Sequence, residues 1–132
     1  MSQTELEISF DFVGTGKMAK GSILRYQSPL TVQKIIDACP LTVRGRYNVG
    51  AKKEYLMLLI NIKKGMEKDP YKDTTVGDIV YCPQQDALLL VFAPTKLTLP
   101  VRFIGKISEG LDFLSQIPLG TNVKIALKSL EK

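Results

Sequence analysis

Arg44 and Arg46 stand two residues apart in the run TVRGRYN, a spacing that puts both guanidinium groups on one face of an extended strand. Gly45 between them allows close approach of a neighbouring backbone. A planar guanidinium fork suits bidentate anions, so the chemistry offered is recognition of a carboxylate or phosphate. The other reading of the pair is an outer barrel face on which the arginines meet Glu54 or Asp78. Arg102 alternates with Val101 and Phe103 and is expected to face solvent. A second polar group, Gln84 and Gln85 in YCPQQDA, reads first as an exposed turn. Beside a groove, their amides would supply the donors and acceptors that a peptide or small polar ligand needs.

What is missing narrows the chemistry. The sequence has no histidine, which removes Ser-His catalysis and His-ligated metals. Cys39 and Cys82 have neither C-x-x-C spacing nor neighbours that would complete a zinc site. They are expected to be reduced thiols packed as small apolar groups, with a disulfide across the loop as the alternative. No histidine exists to activate either sulfur for catalysis. No metal and no cofactor is expected.

The chain has 132 residues, 45% apolar and 23% charged, the balance of one soluble globular domain spanning residues 1–132. No apolar run approaches the roughly 18 residues of a spanning helix, so no membrane contact is expected. MSQTELEISF lacks a basic segment followed by an apolar one, so a cytoplasmic location is the expectation. Net charge is +5, yet the lysines are dispersed. Lys52, Lys53, Lys63, Lys64, Lys68 and Lys72 surround one strand and its loop, the pattern of a solvated rim more than of a nucleic-acid footprint. Histidine and tryptophan are absent and lysine outnumbers arginine fourteen to four, a bias found in thermophile proteins.

The elements that must position these residues follow from periodicity. ELEISFDF alternates strictly, with Leu6, Ile8, Phe10 and Phe12 on one face, which predicts a half-buried strand. VGTGK turns the chain into a second strand, MAKGSILRY, forming a hairpin. In SPLTVQKIIDACPL the apolar spacing becomes helical at Val32, Ile35, Ile36 and Cys39; Ser28 or Thr31 can cap that helix and Pro40 ends it. LTVRGRYN and KEYLMLLINIK read as strands around a turn at Asn48, Val49 and Gly50, and Asp69-Pro70 marks a polar loop. GDIVYC and ALLLVF form a hairpin around PQQD, and LPVRFIGKI is the seventh strand. SEGLDFLSQI predicts a second short helix beginning at Ser108 or Glu109, and VKIALKSL is the eighth strand.

Eight strands spread evenly along the chain suggest a closed barrel, which removes exposed sheet edges, with the two helices capping its ends. ALLLVF is apolar on both faces, so one face fills the barrel and a helix or a second subunit covers the other. A homodimer is therefore one of the expectations.

This element order, with SPLTVQKIIDACPL, GRYNVGAKKEYL and VGDIVYCPQQDALLLVFAPT, resembles the cyclophilin-like family of small, largely archaeal prokaryotic proteins. The third piece is the most specific, through Gly77, Asp78, Tyr81, Pro83, Ala87, Phe92, Pro94 and Thr95. Where that family's pattern usually has tryptophan and glycine, this chain has Cys82 and Gln85. The resemblance implies a mostly β fold, a cyclophilin-like closed eight-stranded barrel capped by two short helices. Peptidyl-prolyl isomerases of that architecture hold a proline in an apolar pocket while an arginine donates a hydrogen bond to the prolyl nitrogen. The bond lowers an isomerisation barrier of roughly 18–20 kcal/mol. Arg44 or Arg46 would be that donor, with Tyr47, Tyr55, Tyr81 and Phe92 as walls. The histidine- and tryptophan-containing motifs around the arginine of true cyclophilins are absent here.

The expected function is binding of a small molecule or peptide in a surface groove near Arg46, Tyr55, Tyr81 and Phe92. Arg44, Tyr47, Glu54, Gln84, Gln85 and Thr95 complete the expected lining. Prolyl isomerisation is the alternative, and a nucleic-acid or protein interaction module built on the lysine-rich residues 52–72 is the third.

Overall fold

The structure is a computed structural model and describes residues 5–24, 29–47, 54–63, 75–94, 100–118 and 120–129. Eight strands appear in chain order: β1 (Glu5–Phe12), β2 (Lys17–Leu24), β3 (Leu41–Tyr47), β4 (Tyr55–Leu59), β5 (Asp78–Cys82), β6 (Ala87–Val91), β7 (Arg102–Glu109) and β8 (Asn122–Ser129). All pairings are antiparallel, and the sheet closes in the order β1-β2-β7-β5-β6-β4-β3-β8. The expected closed barrel is what the chain forms. Closure joins β1 to β8, so strands from the two ends of the sequence share one surface.

Alternation decides what fills the interior. Leu6, Ile8, Phe10 and Phe12 of β1 are buried with Val123 and Ile125 of β8, Leu56 and Leu58 of β4, and Leu88 and Leu90 of β6. Each such side chain taken fully out of water contributes roughly 1.5–3 kcal/mol. β5 and β6 are buried at every position. Their inward residues Ile79, Tyr81, Leu88 and Leu90 join the main core, while Val80, Cys82, Ala87 and Leu89 form a second core outside the barrel wall with Val101. Tyr55 and Met57 of β4 pack against that second core. The outer face of ALLLVF is thus buried within a single chain.

Helix α1 (Pro29–Ala38) begins with proline, whose fixed φ suits the first helical position. Thr31 lies inside this helix and is buried with Val32 and Ile35, so it does not cap it; Ser28 lies outside the described residues. The second cap differs from expectation. β7 continues through Ser108 and Glu109, Ser108 donating its hydroxyl to the carbonyl of Lys20 at 3.2 Å. Gly110, at φ 92°, then turns the chain into a 3₁₀ helix at Leu111–Gln116. Strand pairing outcompetes helix capping at Ser108 because β2 lies alongside. The two caps occupy opposite ends: α1 follows Leu24, beside the start of β1, whereas Phe113 of the 3₁₀ helix meets Phe12 edge-on at 5.9 Å.

β4 stops at Leu59, short of the expected Lys63, because Asn61 and Lys63 adopt positive φ. The turn expected at Asn48–Gly50, the Asp69-Pro70 signal and Lys52, Lys53, Lys64, Lys68 and Lys72 lie outside the described residues. Among the described residues no helix is long and apolar enough to cross a membrane.

Candidate functional site

Arg44 and Arg46 share the outward face of β3 and are exposed, while Gly45 between them is buried against Leu56 and Val123. Neither arginine makes an ion pair with a described residue. The acidic partners expected for them are differently placed. Asp78, fully buried, accepts hydrogen bonds from the Thr75 amide at 2.8 Å and hydroxyl at 3.1 Å and lies 3.5 Å from the Lys106 ammonium. Glu54, half-buried, precedes β4 and accepts the Phe92 and Ala93 amides through its backbone carbonyl at 3.0 and 3.2 Å.

Two of the expected aromatic walls, Tyr81 and Phe92, lie away from Arg46. Tyr81 is inside the barrel, 0% exposed, and donates its hydroxyl to an Asp86 carboxylate oxygen at 2.8 Å. Phe92 is half-buried against the main core. Tyr55 shares the outer side with Arg46 but packs on the second core. Burial, then the neighbouring Cys82 and Glu54, raises the Tyr55 phenol above its ordinary pKa. Tyr47 ends β3 opposite Leu56, and Thr95 lies outside the described residues. Arg102 is half-buried opposite Tyr81 in the β5–β7 ladder, less exposed than its alternation suggested.

Gln84 and Gln85 are exposed in the turn from Pro83 to Asp86. The working residue there is Asp86. At φ 53° its carboxylate accepts the amides of Ile62 and Lys63, both at 3.0 Å, besides the Tyr81 hydroxyl. Its carbonyl accepts the Ile60 amide at 3.1 Å. This knot ties the β5–β6 turn to the segment leaving β4.

Both cysteines are free thiols. Cys82 is buried in the second core, and Cys39 packs against the main one. Desolvation pushes the Cys39 thiol up to about 11, far from a nucleophile's range. Among the described residues no three Cys, Asp or Glu side chains are grouped as metal ligands would be.

A concavity of about 480 Å³ lies on the outer surface of β1, β8 and β3, where α1 gives way to β3 at Pro40. Register accounts for its composition. Thr42, Lys124, Asp11 and Met18 form one lateral row across β3, β8, β1 and β2, and Ala126 pairs with Ser9 in the next. Pro40, Leu41 and Ile125 complete the lining. Ala126, small and exposed between larger neighbours, leaves the space open. Asp11 and Lys124 face each other in register, yet neither makes an ion pair or side-chain hydrogen bond with a described residue. Arg44, opposite Asn122, lies one row beyond Thr42 and Lys124 on the same surface. Alternation in β1 and β8 places Ser9, Asp11, Lys124 and Ala126 outside, but only closure brings them together, so no local signal in the sequence marks this group.

No protein-family model matches the sequence, and no curated protein matches it. Among solved structures, the chain is similar to the solution structure of a hypothetical protein from Archaeoglobus fulgidus, with a TM-score of 0.76 and 17% identity. The match covers 95% of this chain and 96% of that one. The likeness shows a shared fold with an archaeal protein, and no match supplies the cyclophilin-like family name.

Proposed function

We propose that this barrel is a binding protein whose site is the concavity on β1, β8 and β3, taking a small molecule or the end of a short peptide. One observation carries the reading. A hollow of about 480 Å³ combines apolar surface from Met18, Pro40 and Leu41 with the hydroxyls of Ser9 and Thr42 and two uncommitted charges, Asp11 and Lys124. Mostly apolar walls with a few convergent polar groups are the usual make-up of a ligand site of this size.

Arg44 extends the same surface and serves as a second cation for an anionic group too long for Lys124 alone. Arg46 is a further step along β3, beside Met57. With Tyr81 inside the barrel and Phe92 against its core, two of the aromatic walls that prolyl isomerisation would use are turned away from Arg46, which favours the binding reading over catalysis.

The test is a thermal-shift and saturation-transfer screen of small polar and apolar fragments against the parent and Ala126→Phe. Ala126 is exposed, so the added ring fills the hollow without disturbing the core. Fragments that stabilise the parent and lose that effect in the variant support the site. Fragments that stabilise both equally refute it.

A further inference from the structure

We infer that the ligand of this concavity is a small zwitterion bearing an apolar group, of the α-amino-acid type. The inference rests on the binding reading above and adds the class of ligand. Asp11 on β1 and Lys124 on β8 are directly opposed in an antiparallel ladder. Facing positions bring Cα atoms to roughly 4.5–5.5 Å, a geometry in which opposite charges ordinarily meet across the strands. Here they do not: no carboxylate oxygen of Asp11 lies within ion-pair distance of the Lys124 ammonium, and both side chains line the hollow. One anionic and one cationic group therefore line the same hollow unpaired, both available to a guest.

An α-amino acid carries its ammonium and carboxylate on one carbon, so one small guest offers a partner to each of the two charges. Its ammonium would donate to Asp11, and its carboxylate would accept from Lys124, with Arg44 one row beyond as a second cation. Thr42 stands beside Lys124 and Ser9 follows Asp11 two residues back on β1, so a hydroxyl accompanies each charge. Met18, Pro40, Leu41 and Ala126 leave an apolar surface for the side chain. A purely anionic guest would leave Asp11 without a partner, and a purely cationic one Lys124.

Three probes of one shape separate these cases. Leucine keeps both charges, leucinamide lacks the carboxylate, and N-acetylleucine lacks the ammonium. Amide-resolved NMR titration of the full chain is expected to show leucine binding about two- to fivefold more tightly than either derivative, as pairs between exposed charges allow. Lys124→Glu, at an exposed position, should move the preference to leucinamide, and Asp11→Asn should narrow the gap between leucine and N-acetylleucine. Equal binding of the three probes, or a preference unmoved by Lys124→Glu, overturns the zwitterion. If a derivative binds as well as leucine and is lost in Ala126→Phe, the site stands and only the ligand class falls. If neither the probes nor the fragments shift amides around Ser9, Asp11 and Lys124, the ligand class and the site fall together.

Discussion

Asp86 illustrates how a polar residue in a promising turn becomes committed to the fold. Its carboxylate receives three donors, one of them the buried Tyr81 hydroxyl, and its backbone occupies a conformation that aspartate and asparagine tolerate better than most residues. Asp86→Ala is expected to cost about 2–4 kcal/mol in urea unfolding, since it strands those donors and strains the backbone. Asp86→Asn should cost less, because an amide oxygen still accepts and φ 53° is still allowed. Tyr81→Phe should lie near 1 kcal/mol, one hydrogen bond. Titration acts at the same scale. Cys39 binds its proton more tightly folded, at about 11, than at the ordinary 9.0 of an unperturbed thiol. The folded state thus holds more protons than the unfolded state in that window, and stability must fall as pH rises from about 9 to 11. The raised Tyr55 acts in the same direction from about 10 upward. Urea midpoints measured across this range, with Cys39→Ser as control, should show the decline reduced in the variant.

Single elements were legible wherever one periodicity ruled. β1 announces itself through Leu6, Ile8, Phe10 and Phe12, and α1 through Val32 and Ile35. Ser108 and Glu109 suit a helix start locally, yet Glu109 pairs with Lys20 of β2 and the Ser108 hydroxyl donates to the Lys20 carbonyl, which keeps the chain extended until Gly110. A prediction belongs to that same β2–β7 contact. A Cβ on Gly105 would collide with the carbonyl of Ser22, and one on Gly21 with the carbonyl of Lys106. Gly105→Ala should therefore destabilise by about 2–3 kcal/mol or fail to fold, although its backbone conformation is ordinary for alanine. Gly14→Ala, in open space at φ 86°, should lose only the roughly 1 kcal/mol of a strained backbone. Thermal unfolding of the two variants side by side distinguishes collision from strain.

At the scale of the whole molecule, closure was legible and its consequence for function was not. Evenly spaced strands with no tolerance for open edges point to a barrel, but which strands meet depends on pairings far apart in sequence. Arg44 and Arg46 are two residues apart in the chain, so their shared face is visible in the sequence. Asp11 and Lys124 lie at opposite ends of it and meet only where β1 closes on β8. Local sequence likewise could not sort Tyr81 and Phe92 from Tyr55, since the register decides which aromatic enters the barrel. The second core outside β5 and β6 explains the run of apolar residues that a single inward face could not.

The proposed ligand site is the hollow over β1, β8 and β3. Its most direct test is two-dimensional amide NMR of the uniformly labelled chain during titration with leucine. The account predicts saturable shifts clustered at Ser9, Asp11, Met18, Thr42, Lys124 and Ala126, with little change at Met57 and Leu59 of β4. Shifts centred on Arg46, Tyr55 and Met57, or no saturable shifts with leucine, its two derivatives or the fragments, would contradict it.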